Sequence, residues 1–107
     1  MDITPQHVAY RKKVGMYEGR PVWEIATTGG YHLLVGLCKG TQKTFGVGSH
    51  KCIARHIARK RTPGLELTEL SKADQIDPRA FAHLIPTYEA ETDRFNALEA
   101  RLYGSRE

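Results

Sequence analysis

TFGVGSHKCIARHIARKR, residues 44–61, is the stretch on which the fold interpretation of this chain depends. Its first five residues are typical of the end of a β-strand. Ser49 is a good helix N-cap, because its hydroxyl can accept a hydrogen bond from a free backbone N–H of the first helical turn. The stretch therefore predicts a strand followed directly by a helix over residues 51–60.

The predicted helix has one basic side and one apolar side. At about 100° per residue, Lys51, Arg55 and Arg59 fall on one narrow arc. Ile53 and Ile57 fall on nearly the opposite arc. Glycines and a helix N-terminus let an anion approach the backbone closely, and lysine and arginine add full positive charge. The basic arc predicts a phosphate-binding surface, with a solvated face of an ordinary amphipathic helix as the alternative.

Upstream of this stretch, turn residues separate three segments rich in β-formers. We predict strands over residues 21–28, 31–37 and 43–47, with a Gly-Gly turn at 29–30 and a second turn at 39–42. Thr4 and Pro5 are a suitable N-cap and first residue for a short basic helix over residues 4–14. The order is then helix, three antiparallel strands, helix, which is an α+β fold.

Downstream of Gly64 the chain becomes acidic and helical in character. Residues 65–70 alternate as an edge strand would, although a short helix by residue 72 is an alternative. Asp77 and Pro78 predict a short helix that Pro86 breaks, followed by a helix over 87–103. One face of this last helix is apolar, at Tyr88, Phe95, Leu98 and Leu102. That face either docks on the sheet or forms a homodimer seam, so we predict a core over 1–64 and an extension over 65–107.

Composition excludes several classes of protein. The 107 residues suit one small domain with an appendage. No apolar run approaches the ~20 residues of a membrane span, and the first residues carry no signal-peptide pattern. Two cysteines are too few for a disulfide scaffold, which favours a reducing, cytoplasmic setting.

Charge is divided unevenly along the chain. Residues 1–61 hold 11 Lys and Arg against 3 Asp and Glu, a net charge of +8, whereas residues 62–107 carry a net charge of −4. A basic first part predicts a polyanionic partner. The alternative is that the two parts of the chain attract each other.

Four short motifs, in chain order, resemble those of the double-stranded-RNA-binding domain over residues 4–61. TP at 4–5 is similar to the family's helix-opening Asn-Pro, and PVWE at 21–24 to its Pro-x-Tyr-Glu entry into the first strand. GGYH at 29–32 is similar to its Gly-Pro-x-His turn, and GVGSHKCIAR at 46–55 to its Gly-x-Gly-x-Ser-Lys-Lys-x-Ala-Lys. Three-stranded DNA-binding modules of the integrase arm-binding and AP2 types share the sheet-then-helix layout, and they read the major groove with the sheet.

The resemblance implies three contacts with a duplex. The first helix would meet one minor groove through Arg11 or Lys12, and the 29–32 turn would bring His32 to the next. The basic arc of the second helix would lie on the phosphates between them, with little readout of base sequence. Tyr31 is expected to be exposed at the tip of its turn. The predicted contact residues are Lys51, Arg55, Arg59, His32, Tyr31, Arg11, Lys12, Ser49 and His50.

Metal binding and catalysis have weaker support in the sequence. Cys52 and His56 lie one helical turn apart and could share a zinc ion with His50 or Cys38, but no C-x-x-C motif accompanies them. Catalysis by Cys52 would need a cleft and an orienting carboxylate. We therefore predict no cofactor, no metal and no enzymatic activity. The predicted function is binding of duplex nucleic acid, RNA in preference to DNA; the alternative is a small inhibitor or accessory factor of phage or plasmid type that binds a protein through the same basic surface.

Overall fold

Strands dominate the first half of the molecule, and two helices follow them. The structure is a computed structural model that describes residues 8–38 and 40–103, except for the side chains of residues 99, 102 and 103. The strands are β1 (Val8–Tyr17), β2 (Arg20–Thr27), β3 (His32–Cys38), β4 (Thr41–Gly48) and the short β5 (Glu66–Leu67). The helices are α1 (Lys51–Arg61) and α2 (Ile85–Tyr103), and 3₁₀ turns lie at Lys72–Asp74, Pro78–Ala80 and Ala82–Leu84.

The five strands form one antiparallel sheet in the order β4-β3-β2-β1-β5. A tight turn joins β1 to β2, with Glu18 at φ 51° and Gly19 at φ 76°. The predicted Gly-Gly turn joins β2 to β3, and Gly30 has a φ of 89° that favours glycine. The strands predicted at 21–28, 31–37 and 43–47 are confirmed as β2, β3 and β4, and the helix predicted at 51–60 is confirmed as α1.

The predicted N-terminal helix and three-stranded sheet are wrong. Residues 8–14 belong to β1, while residues 4–7 of the predicted helix lie outside the described residues. Register shifts leave Ala9 and Val14 as extra residues of β1 opposite β2. Each bulge interrupts the alternation that identifies a strand in a sequence. Gly15, interpreted as a helix stop, is instead required by β5, since a Cβ there would lie 2.0 Å from the Glu66 carbonyl oxygen.

The extension after Gly64 partly follows its prediction. The edge strand expected within 65–70 is confirmed as the two residues of β5. Asp77 accepts a hydrogen bond from the Arg79 backbone N–H at 3.0 Å and precedes Pro78, as expected, but the turn that follows is only three residues long. Pro86 does not break a helix; it lies in the first turn of α2, where its missing N–H is not needed.

The helices cover opposite faces of the sheet. One core cluster, which includes Ala58 of α1, contains Val14, Val22, Leu34 and Phe45, and Phe95 of α2 packs on a second cluster of Leu33, Val35 and Val47. The helix α1 lies very close to β4, because a Cβ on Gly46 would be 2.3 Å from the Ala54 carbonyl oxygen. A third cluster joins Ile53 and Ile57 to Phe81 and Tyr88.

A side-chain amide from α2 occupies part of the outer edge of β4. Asn96 Oδ1 accepts from the Thr44 backbone N–H at 2.9 Å, and Asn96 Nδ2 donates to the Thr44 carbonyl at 2.9 Å. The amide therefore imitates a neighbouring strand at this point of the sheet. Thr44 is 1% exposed, so this pairing matters for a backbone that water does not reach.

Candidate nucleic-acid interface

The basic side chains of α1 are largely neutralised within the chain. Lys51 pairs with Asp74 at 3.0 Å, Lys60 pairs with Glu89 at 3.1 Å, and Arg61 pairs with Asp93. The three acidic partners all come from the acidic part of the chain after residue 61. The attraction between the two parts, considered above as an alternative, therefore accounts for much of the positive charge of α1.

Arg55 is buried, and the prediction that it lies on an exposed arc is wrong. Its exposed fraction is 4%, and that of Glu24 on β2 is 3%. Arg55 Nε lies 3.5 Å from Glu24 Oε1, and Arg55 Nη1 donates to the Thr68 carbonyl oxygen. At the position of Arg55, this side of α1 faces Glu24 on the sheet and Thr68 in the chain after β5, and not solvent. Arg55 therefore links α1 to the sheet and to the segment after β5. Of the three residues of the predicted arc, only Arg59 is exposed.

A polar group of side chains lies beneath the first turn of α1. Tyr10 donates its hydroxyl to Glu24, and burial together with this hydrogen bond raises the pKa of Tyr10 to about 12. The ring of His32 lies 6.4 Å from that of Tyr10 and 6.3 Å from that of His50. Burial lowers the pKa of His32, and its Nδ1 is buried without a hydrogen-bond partner among the described residues.

His50, rather than Ser49, is the N-cap of α1. His50 Nδ1 accepts from the Cys52 backbone N–H at 3.0 Å. Ser49 instead accepts a hydrogen bond from the Tyr88 hydroxyl at 2.7 Å. The His50 imidazole therefore already accepts a hydrogen bond from one of the backbone N–H groups at the start of α1 that were expected to bind phosphate.

The predicted contacts on the 29–32 turn are only partly accessible. Tyr31 is half-buried and packs against the cluster that contains Phe95, so the expectation of an exposed ring is wrong. It lines a cavity of about 140 Å³ together with Phe95 and Leu98.

Tyr88 is 8% exposed and contacts α1, so the apolar face of α2 is used within the chain. The side chain of Leu102, the fourth residue of the predicted dimer seam, lies outside the described residues.

The other face of the sheet carries accessible cations on β1 and β2. Arg11 lies opposite Ile25, and Lys13 lies opposite Trp23, so these four side chains share one face. The guanidinium carbon of Arg11 is 4.4 Å from the centre of the Trp23 ring, within the range of a cation–π contact. Arg11 and Lys13 are exposed and form no ion pair with the described acidic residues. We call these four residues the β1–β2 basic face.

The helix α2 leaves the two cations of this face exposed, while Trp23 and Ile25 are half-buried on the cluster that Phe95 of α2 also contacts. On the sheet its main contacts are with β4, two strands away from β2. Lys12 lies opposite Glu24 and therefore belongs to the α1 side of the sheet. The structure thus separates Arg11 from Lys12, His32 and the start of α1, which the sequence had grouped in one interface. Sequence reasoning missed Lys13 and Trp23; the i, i+2 spacing of Arg11 and Lys13 was the available signal, once β1 is a strand.

The requirements for nucleophilic catalysis are met only in part. Cys52, His56 and Glu69 line a cleft of about 330 Å³ beside α1. However, Cys52 Sγ accepts from the Ile76 backbone N–H at 3.3 Å and donates to the Ile76 carbonyl at 3.4 Å. Among the described residues, the hydrogen bonds of this thiol are to the backbone of Ile76 and not to a histidine. In the described part of the chain, no three His, Cys, Asp or Glu side chains converge as metal ligands.

No protein-family model, curated protein or solved structure matches this chain. Within the described residues, neither helix combines the length and apolar character needed to cross a membrane.

Proposed function

We propose that this chain is a non-enzymatic nucleic-acid-binding protein that contacts a duplex through the β1–β2 basic face. The observation that carries the proposal is the stacking of Arg11 on Trp23 beside Lys13, on a face whose two cations are exposed. The basic residues of α1 support it less well, because their partners are acids of the same chain. Cations on the sheet that form no ion pair within the described residues remain available to bind phosphates.

We propose duplex DNA rather than duplex RNA as the partner, with β1 and β2, the two strands that carry the face, toward the major groove. The major groove of B-DNA is about 12 Å wide and admits a two-stranded antiparallel ribbon. The major groove of A-form RNA is deep and narrow and excludes such a ribbon. In this proposal Lys13 contacts phosphate, and Trp23 holds the Arg11 guanidinium in place for a phosphate or a guanine edge. We place the activity in the cytoplasm, where the two free thiols, Cys38 and Cys52, stay reduced.

The test is a binding assay with labelled duplex DNA, duplex RNA and single strands at several salt concentrations. The double variant Arg11→Gln, Lys13→Gln should weaken DNA binding and reduce the slope of log K against log salt by about 1 if Arg11 contacts a guanine edge and by about 2 if it contacts a phosphate. Lys60→Gln with Lys72→Gln removes the same charge elsewhere and is the matched control. It should leave the slope nearly unchanged.

Equal losses in both double variants would show that net charge, and not the β1–β2 basic face, drives binding. Tighter binding of duplex RNA would contradict the major-groove geometry. If no nucleic acid binds at low salt, the proposal is wrong, and an acidic protein surface becomes the candidate partner.

A further inference from the structure

The cleft beside α1 is separate from the β1–β2 basic face. One wall is the outer side of α1, with His56 and Arg59, and the other is the segment from Glu69 to Phe81. Its volume, about 330 Å³, is at the lower end of the range for small-molecule sites. The cleft therefore suits a ligand of about the size of an amino acid.

Contacts at several points hold the two walls together. Lys51 pairs with Asp74, Arg55 donates to the Thr68 carbonyl, and the Cys52 thiol exchanges two hydrogen bonds with Ile76. The hydrogen bond from Lys51 lowers the pKa of Asp74, as expected where the carboxylate is paired with a cation. The segment is therefore fastened to α1 by its own contacts and needs no ligand to stay in place.

Two opposite charges on the cleft walls lack partners. Arg59 on α1 and Glu69 on the facing segment both line the cleft and are exposed, and neither forms an ion pair within the described part of the chain. Arg55, the other arginine of the cleft, is already paired with Glu24 and Thr68. Within the described residues, the cleft thus holds one cation and one anion that form no ion pair, with each other or with another side chain.

Apolar side chains also line the cleft. Phe81 is 3% exposed, and the His56 ring meets it edge-on at 5.4 Å. Ile76 and Leu70 complete the apolar lining. A small number of polar groups placed around an apolar surface is the usual composition of a small-molecule site.

We infer that this cleft binds a small organic zwitterion with an apolar body, the chemical class of the apolar α-amino acids. The Arg59 guanidinium takes the carboxylate, because its planar fork matches carboxylate geometry. Glu69 takes the ammonium group, and the apolar body lies against Phe81 and Ile76. Glu69 also disfavours purely anionic ligands such as phosphate, by like-charge repulsion.

Titration of the full chain with three probes, followed by amide NMR shifts, tests this inference. The probes are L-phenylalanine, phenethylamine, which lacks the carboxylate, and 3-phenylpropionate, which lacks the ammonium. L-phenylalanine should shift the amides of residues 52–59 and 69–81 and should bind about tenfold more tightly than either probe with one charge.

Two exposed substitutions separate the roles of the two charges. Arg59→Gln should weaken L-phenylalanine about tenfold and leave phenethylamine unchanged. Glu69→Gln should weaken L-phenylalanine similarly and leave 3-phenylpropionate unchanged or bound more tightly. Lys43→Gln and Glu91→Gln remove one charge of each sign outside the cleft and should change none of these affinities.

Absence of shifts at about 10 mM L-phenylalanine would overturn the inference. So would equal affinities for all three probes that neither substitution alters, because the cleft would then be an apolar surface without charge selectivity. Retained dispersion of the amide spectrum shows in each case that the variant is folded.

Discussion

Arg55 and Glu24, on α1 and β2, form an ion pair that is almost entirely removed from water, with exposed fractions of 4% and 3%. Tyr10 donates a hydrogen bond to the carboxylate of this pair, and the Thr68 carbonyl accepts one from its guanidinium. The sequence alone had placed Arg55 on a basic arc opposite the apolar side of the helix. The structure instead buries Arg55 with Glu24, so that loss of one partner leaves an uncompensated charge in the interior.

Arg55→Ala should therefore destabilise the protein by about 3–5 kcal/mol. Glu24→Gln should also be destabilising, whereas Glu24→Leu with Arg55→Met should cost less than the sum of the single changes. Urea unfolding of the parent, of Arg55→Ala and Glu24→Gln, and of the double variant with its two single changes measures these differences. If the free energy of unfolding of Arg55→Ala lies within about 0.5 kcal/mol of the parent value, Arg55 behaves as a surface residue and this expectation is wrong.

Asn96→Ala should destabilise the chain, since it removes the amide that pairs with both backbone groups of Thr44. The expected cost is about 1–3 kcal/mol. Hydrogen exchange at the Thr44 amide should accelerate more than at β2 amides, because the change is local to the β4 edge. Asn96→Asp keeps an acceptor for the N–H and loses the donor, so it should fall between parent and alanine variant.

Gly46→Ala should separate α1 from the sheet. The new methyl group would lie 2.3 Å from the Ala54 carbonyl oxygen and 2.7 Å from the Ala58 nitrogen, both of them backbone atoms. Overpacking of this kind costs about 1–3 kcal/mol, and occasionally more. Gly29→Ala is the matched control, because its nearest neighbour, Thr27 Oγ1, is 3.8 Å away. Thermal melts of the two variants should differ clearly, and coincident melts would contradict the close approach of α1 to β4.

Stability should decline as the pH falls below about 6.5, the ordinary pKa of histidine, with His32 as one contributor. Burial lowers the pKa of folded His32, so the unfolded chain takes up the proton first. The loss of stability begins as the pH falls below the pKa of His32 in the unfolded chain. It grows until His32 is protonated in the folded protein too. His32→Gln should have a flatter stability profile between about pH 7 and about pH 5. If the free energies of unfolding of parent and variant change with pH in parallel, His32 does not contribute to the pH dependence of stability.

Local signals identified β2, β3, β4 and α1, whereas features that depend on distant residues were missed. The Gly29–Gly30 turn and the spacing of Ile53 and Ile57 are legible within short windows. Strand β1 was not, because its bulges at Ala9 and Val14 remove the alternation on which recognition of a strand depends.

The candidate site was harder to predict than the fold. Helical geometry correctly placed Arg55 opposite Ile53, but only tertiary structure shows that Glu24, 31 positions earlier, lies against it. Likewise, the charge imbalance of the sequence could not reveal which cations meet acids of the same chain. Arg11 and Lys13 became a coherent pair only when β1 replaced the predicted helix.

The pairing of Asn96 with Thr44 makes the two sides of the sheet unequal as sites of self-assembly. A sheet grows into a fibre only if each molecule offers a strand edge on both sides, one to attach by and one for the next molecule. On the β4 side, a side-chain amide interrupts the ladder that an incoming strand would need. Any strand-to-strand joining would therefore have to use the opposite edge, formed by β5 and by the part of β1 that β5 does not pair, where two copies would close about a two-fold axis and growth would stop at the pair.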